Sequence, residues 1–528
     1  MVVVGLVLTV PALLALYRGY IGPTFWTVRS GFQDVDVLSG RIRDVGGRNY
    51  QVIGEDVLDT FGRALLFGVG PLLAFLVVAP LLALAAHWAG RAGRWVVRVA
   101  FAVPMVLGLA PATLAAGYFL DRLRPEDSAR EAISNPATAP VLLIGFAGAA
   151  TFGLVCGLGV TLFLAALRRR EAGPPVWPGA LVVAGLGVIA VLAAVLQTFV
   201  FPYVVTDGGP GHATTTPMLA IFDYGFRDLR FGTAAAAATV VLVPLALLGV
   251  AAAVLVIVSG LRVEFDPVAR DDGPRGGSGG KGVVLALVGA GLVVVPFVAW
   301  IGIWPALSRI VGGSGAEQVP AESLGTIFAN TWLPTLLSAT GGVVVAALAG
   351  FAIGMLRPFG RYSEALLLPF APWLFVGIGP LAIAHWYDAQ RAEQLNSFAG
   401  LIPPVPVVIP ALFVFTLFFK GQERRLREAG GAGGLGRAVL PVLPMVAVIG
   451  GVTWVVQAQD LLWPLLVSSD PDKYTGPLVL VNVIRQFVVA DGGPIGVAFP
   501  IWAVVIAGVA LAVAQVLYVD RLAIRAGR

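Results

Sequence analysis

The chain holds one cysteine and three histidines in 528 residues, and only 12% of its side chains are charged. Each shortage excludes something. Cys156 alone permits no intramolecular disulfide and no cysteine metal cluster, and it reads as a small packing residue. His87, His212 and His385 are scattered, without metal-ligand spacing. A soluble domain carries about 25% charged residues, so this chain cannot coat itself with a polar surface. Basic and aromatic residues are not interleaved as a nucleic-acid groove requires. The pI near 9.5 therefore reflects topology and not nucleic-acid binding.

What is abundant is hydrocarbon: 58% hydrophobic residues and a mean hydropathy of +0.88. Uncharged runs of about 20 residues are long enough to cross a bilayer core of about 30 Å as helices. Twelve occur, at roughly 1–17, 64–86, 99–120, 138–167, 179–205, 232–260, 282–308, 327–356, 365–387, 396–419, 438–459 and 497–519. Backbone groups must satisfy themselves inside lipid, so these runs read as helices, and no alternating strand pattern competes. The expected fold is an all-α polytopic membrane protein of about twelve transmembrane helices. The first run has no basic residue ahead of it and no obvious small-residue cleavage signal, so it reads as a transmembrane helix and not a signal peptide.

Lysine and arginine placement sets orientation. Short loops after spans two, four, eight and ten carry "GRAGRWVVR", "RRREAG", "RPFGR" and "KGQERRLREAG", and the tail ends "DRLAIRAGR". Loops on the other side mix signs or lean acidic. Both termini are therefore expected on the cytoplasmic side.

One basic phrase occurs twice. "LRRREAG" starts at Leu167 and "RRLREAG" at Arg424, 257 positions later. Around them, "VLQTFVFPYVVTD" with Gln197, Pro202 and Asp207 faces "VVQAQDLLWPLLVSSD" with Gln457, Pro464 and Asp470. Pro217 faces Pro477, and "GRAGRW" faces "RPFGRY". An offset near half the length implies two homologous six-helix halves, an arrangement usual in transporters. The division is 1–261, a flexible linker 262–281, and 282–528. The linker ends in Gly280-Lys281, but Arg275 stands where a phosphate-binding loop needs Gly, Gly282 where it needs Ser or Thr, and no strand precedes it. ATP is not bound there.

At the level of longer segments the chain resembles the two membrane subunits of a carbohydrate-type ABC importer, the maltose and glycerol-3-phosphate uptake class, fused into one polypeptide. Residues 59–101 and "TDGGPGHATTTPMLAIFDYGFRDLRFGTAAAAATVVL" (Thr206 to Leu242) look like one subunit. "FANTWLPTLLSATGGVVVAALAGFAIGMLRPFGRY" and "DLLWPLLVSSDPDKYTGPLVL" look like the other. The resemblance implies a permease, not an enzyme. It would work with two ABC ATPase subunits that bind ATP and magnesium, and with an extracellular or lipid-anchored solute-binding protein, in a bacterial cytoplasmic membrane. It places ATPase-coupling contacts at Arg168, Arg169, Arg170, Glu171, Ala172 and Gly173, and at Arg424, Arg425, Arg427, Glu428, Ala429 and Gly430. Gly stands at the third motif position where the family has Ala, the family's Asp-Gly pair is missing, and both segments are shortened.

Polar groups inside spans mark a route, because unpaired ones are costly in lipid. Gln197, Gln457, Gln459 and Asp460, with the rings of Tyr203, Trp454 and Trp463 nearby, are the candidates for a sugar path. Outside, "TDGGPGHATTTP" and residues 18–63 offer docking surfaces for a binding protein. Two other readings stand beside this one. A six-plus-six secondary transporter would share the Arg/Gly loops, but apart from Asp460 the chain lacks membrane-embedded acids. A polytopic glycosyltransferase using a lipid-linked donor would use an acidic pair such as Asp34 and Asp36.

Overall fold

The computed structural model describes residues 2–36, 40–106, 128–168, 177–266, 321–428, 439–485 and 501–527, with isolated helical positions at 283, 289, 291 and 436. In chain order come α1 (Val2–Leu16), α2 (Gly22–Ser30), a hairpin of β1 (Gln33–Asp36) and β2 (Arg41–Asp44), then α3 (Arg48–Phe67), α4 (Val69–Leu73), α5 (Ala79–Trp88) and α6 (Gly90–Val106). There follow α7 (Ser128–Ser134), α8 (Ala139–Leu167), α9 (Trp177–Leu196), α10 (Pro217–Phe222), α11 (Phe231–Val258) and β3 (Arg262–Phe265). The later part holds α12 (Ala321–Phe351), a 3₁₀ segment Gly360–Trp373, α13 (Ala382–Arg391) and α14 (Ile409–Glu428). It closes with α15 (Leu443–Ala458), α16 (Leu462–Val467), α17 (Gly476–Arg485), α18 (Ile501–Leu517) and β4 (Leu522–Arg525).

Among the described residues, six helical stretches are long and apolar enough to cross a membrane: Val2–Ser30, Asp56–Trp88, Ala139–Leu167, Trp177–Leu196, Phe231–Val258 and Leu324–Leu356. The fold is all-α with the character of a membrane protein. Three expected spans differ from single helices, the one at 179–205 because it breaks after Leu196. Across 365–387, Pro369, Pro372 and Pro380 remove backbone donors, and the chain forms the 3₁₀ segment, an irregular stretch and only then α13. Across 396–419, Pro403, Pro404 and Pro406 delay the helix to Ile409, and α14 then runs on through the expected loop to Glu428. The first span also continues past residue 17, through a π turn at Tyr17–Ile21, to Ser30. The span expected at 282–308 lies outside the described residues apart from positions 283, 289 and 291, as does most of 99–120.

The core is built where small side chains let backbones approach. Ala234 to Ala238 of α11 are all buried, and α11 packs along the 3₁₀ segment 360–373. In the same sense α18 packs along α6. The last helix before β3 and the last helix before β4 thus each lie on the segment that follows "GRAGRW" or contains "GRY" in the other part of the chain.

At the far end of these helices β3 and β4 pair antiparallel, with Arg262 opposite Arg525 and Phe265 opposite Leu522. Residues 262–265, read from sequence as the start of a linker, are therefore a strand; 267–282 lie outside the described residues. The strand presses on α14 at Gly421, where an added Cβ would fall 1.9 Å from the Val263 carbonyl oxygen. The N-terminal helix reaches the same end, since Gly5 abuts Pro358. The start of α1 and strand β4 therefore lie at one end of the molecule.

Candidate functional site

The first basic phrase ends α8, and its Arg168 is buried. Its guanidinium donates to the main-chain carbonyl of Asp520. The Asp520 carboxylate receives Arg94 Nε at 3.1 Å and lies 3.5 Å from Arg98 Nε, while Arg98 Nη1 donates to Gln515 Oε1 at 2.7 Å. Three guanidiniums thus converge on one aspartate, each drawn from a different place: the "GRAGRW" segment, the body of α6 and the first phrase. Burial is affordable only because the charges share partners. Arg169, Arg170, Glu171, Ala172 and Gly173 lie outside the described residues.

The second phrase is the last two turns of α14. Arg424 Nε is 3.2 Å from Glu428 Oε1, and Arg427 pairs with Glu423. Glu423 also takes Arg357 of "RPFGRY" at 3.5 Å. Lys420 reaches Glu364 at 2.8 Å, and Arg425 lies 3.9 Å from Asp266, the residue after β3. Ala429 and Gly430 lie outside the described residues. The two sites differ in detail: Arg427 of the second phrase and Arg357 share the Glu423 carboxylate, whereas Arg94 and Arg98 share that of Asp520 and Arg168 of the first phrase holds the same residue by its main-chain carbonyl.

The two phrases also meet. Asp266 N donates to the Arg521 carbonyl at 2.8 Å. The line runs from Arg168 to the Asp520 carbonyl, through Arg521 to Asp266, and on to Arg425. One residue of backbone at the edge of the β3–β4 sheet separates the partners of two phrases 257 positions apart. Sequence reasoning treated the tail "DRLAIRAGR" as topogenic arginines. Its one acid, Asp520, was the available signal and was missed, as were Glu423 and Gly421.

The path candidates sit at two helix breaks. Helix α9 ends at Leu196 and helix resumes at residue 200; α15 ends at Ala458 and helix resumes at Leu462. The breaks match at an offset of 262, which sets Gln197 against Gln459, not against Gln457, and Pro202 against Pro464. Gln197 Nε2 donates to the Phe375 carbonyl at 2.7 Å, and its Oε1 accepts from Gly377 N at 2.7 Å. At the other break Asp460 accepts from Leu462 N at 3.3 Å and Trp463 N at 3.1 Å, capping α16. Trp463 Nε1 donates to the Gly400 carbonyl, Trp454 Nε1 to that of Trp332 and Gln459 Nε2 to that of Val106. Gln457 Oε1 is buried and has no hydrogen-bond partner among the described residues. Between the breaks runs segment 375–379: a Cβ on Gly379 would meet Met218 Sδ at 2.7 Å and Leu462 Cδ2 at 3.6 Å. Gln197 of the first break and Leu462 of the second thus reach one segment from two sides, whereas Asp460 caps α16 and Trp454 and Gln459 bond elsewhere.

No family model, curated protein or solved structure matches this chain. The site must be judged on its own geometry.

At the end opposite the β3–β4 sheet, loop 207–216 is held by its threonines: Thr214 Oγ1 donates to the Gly209 carbonyl at 2.8 Å and Thr216 Oγ1 to that of Thr198 at 2.7 Å. Arg227 pairs with Asp207 and, at 2.9 Å, with Asp223. Its guanidinium lies 5.6 Å from the ring of Tyr203, which stacks on Phe199 at 4.8 Å. Burial pushes the Asp223 carboxyl up to about 6, against the opposing pull of Arg227. On the hairpin, Asp34 and Asp36 lie opposite Arg43 and Arg41 in the strand register. No group of three or more metal-ligating side chains occurs among the described residues.

Proposed function

We propose that the chain is the membrane permease of an ATP-driven ABC importer, with its two homologous six-helix halves in one polypeptide. It would carry a sugar or sugar-like solute handed over by an extracellular binding protein, across a bacterial cytoplasmic membrane. The single observation that carries this reading is the junction of the two basic phrases through one small sheet. Movement imposed on either phrase reaches the other through Arg521 and the strands, and reaches the helices through α8 and α14. Two ATPase subunits seated on that face would pull on both halves together. The start of α1 and strand β4 lie on the same face, which fits cytoplasmic termini.

The solute route lies where the two helix breaks approach segment 375–379. Gln197 holds that segment by its amide, and Gln457 holds a buried carbonyl oxygen in reserve at the second break. In this conformation Asp460, Trp454 and Trp463 serve the fold, so they would reach a solute only after the breaks shift. The opposite end, with Asp207, Asp223 and Arg227 beside Tyr203, is the docking side for the binding protein.

The test is affinity purification of the tagged chain in mild detergent with identification of what co-purifies. A stoichiometric ABC ATPase, lost in an Arg427→Glu, Glu428→Arg variant of unchanged thermal stability, is the expected result. Purification of the chain alone, together with solute movement into ATP-free liposomes, would overturn the reading in favour of a secondary transporter.

A further inference from the structure

The recurring order of elements hides one difference in packing. Helices α9 and α11 are in contact: a Cβ on Gly185 would stand 3.2 Å from Leu255 Cδ2. Helices α15 and α18 occupy the same places in the later part of the chain but splay apart. Gly451 of α15 meets nothing within 4 Å among the described residues. The gap is a cleft of about 840 Å³, walled by α15 and α18 and floored by α6 and α12. That volume is in the range of small-molecule sites.

We infer that this cleft is a binding site for one hydrocarbon chain of a bilayer lipid, entering sideways between α15 and α18. The chemistry of the wall dictates the ligand class. Phe328, Trp332, Trp454 and Trp502 form a continuous aromatic ridge, with ring centroids 5.3 to 5.9 Å apart. Three of the polar side chains on the wall are committed to main-chain carbonyls, Trp454 to Trp332, Gln459 to Val106 at 3.0 Å, and Tyr518 to Pro441 at 2.6 Å, which leaves little beyond the indole N–H groups of Trp332 and Trp502 and the Gln459 amide oxygen. A hydroxylated solute would lose its water and find few partners, which disfavours it strongly. An alkyl chain loses nothing of the kind. The mouth is continuous with the lipid-facing surface, because Val452, Val456, Ile506 and Leu517 line the cleft and are each about half exposed or more. Lipid therefore reaches the cleft without crossing a polar rim. Trp454 and Gln459 then belong to a lipid site and leave the solute route to Gln197 and Gln457. The inference does not depend on the transport reading.

The test uses the full chain in vesicles of a phospholipid that bears a photoreactive diazirine midway along one acyl chain. After irradiation, labelled peptides are mapped by mass spectrometry. The α15 stretch Gly451–Gln459 and the α18 stretch Ile506–Leu517 should label more heavily than the exposed face of α11 at Val243 and Leu247. Filling the cleft by Gly451→Phe, or separately by Ala510→Phe, should abolish the excess on α15 and α18 and leave α11 labelling unchanged. Labelling of α15 and α18 in the unmodified chain no heavier than that of α11 overturns the site. So does an excess that survives both substitutions. The first comparison needs no variant, so a folding defect in either substitution cannot shield the proposal. If another segment of the chain closes the cleft, the excess is absent.

Discussion

The two basic phrases share their letters and differ in their surroundings. Arg168 is 6% exposed and locked among Arg94, Arg98 and Asp520, whereas the side chain of Arg425, its counterpart 257 positions on, is 28% exposed and lies 3.9 Å from Asp266, and those of Arg424 and Arg427 on the same helix are 43% and 72% exposed. A repeated motif therefore does not carry its environment with it. At the first copy, Arg168 is an internal anchor that ties α8 to the turn before the C-terminal strand. The described part of the second is the more exposed end of α14, whose charges are balanced along its own helix, toward Arg357 and toward Asp266. If a partner grips both, it grips the second directly and the first through the sheet.

The largest expected effect comes from attacking the anchor. Asp520→Ala leaves the buried Arg94 and Arg98 without their shared carboxylate, and breaking a buried pair in this way costs about 3–5 kcal/mol. Thermal unfolding in detergent should show a large fall. Glu428→Ala at the exposed copy should change stability by less than about 1 kcal/mol. Equal losses at the two sites would erase the distinction between buried anchor and exposed end.

Next comes the joint between the copies. Gly421→Val drives a side chain into the Val263 carbonyl, with even its Cβ only 1.9 Å from the oxygen. Overpacking of this kind costs about 1–3 kcal/mol, and here the atom in the way is backbone that cannot rotate aside. The measured melting temperature should fall by less than in Asp520→Ala. If β3 instead yields freely, Gly421→Val will match the unmodified chain, and the sheet is then no rigid link.

The all-helical class was legible from hydropathy, because lipid leaves the backbone few alternatives. Six of the expected spans contain helical stretches that meet the length and hydropathy needed to cross a membrane. The proline-laden spans were misjudged: a window of "LLLPFAPWLFVGIGPL" scores as apolar whether or not it is one helix. Gln197 and Asp460 were picked out as unusual polar residues, and both do sit at helix breaks. Their partners, Phe375, Gly377 and the amides of α16, are main-chain groups that no side-chain pattern announces. The meeting of the phrases was invisible for a related reason. It depends on a strand pair between residues 262–265 and 522–525, eight residues with weak strand character, brought together only by the packing of α11 and α18.

At the opposite end the ratio of charges inverts: one arginine, Arg227, is shared by two acids, Asp207 and Asp223. The raised Asp223 carboxyl means that folding favours its protonated form. That contribution is full below the unfolded value of 3.8 and is lost as pH rises through about 6. Asp223→Asn removes it, so the variant should gain on the unmodified chain between pH 4 and pH 7. The shift discounted for the partly exposed side chain gives about 1–2 kcal/mol. The readout is the difference in melting temperature as a function of pH. A flat difference would mean that Arg227 compensates Asp223 fully.

The smallest effect sharpens the contrast most. Arg424 and Glu428 are four residues apart on α14, both more than 40% exposed, with a nitrogen–oxygen distance of 3.2 Å. Water screens such a pair, and both long side chains must give up rotamers to hold it. A double-mutant cycle should therefore return about 0.3–0.5 kcal/mol, shrinking further in high salt. Their place at the end of α14 also runs with the helix dipole for Arg424 and against it for Glu428. A coupling energy above about 1 kcal/mol, insensitive to salt, would instead make the second phrase an anchor like the first.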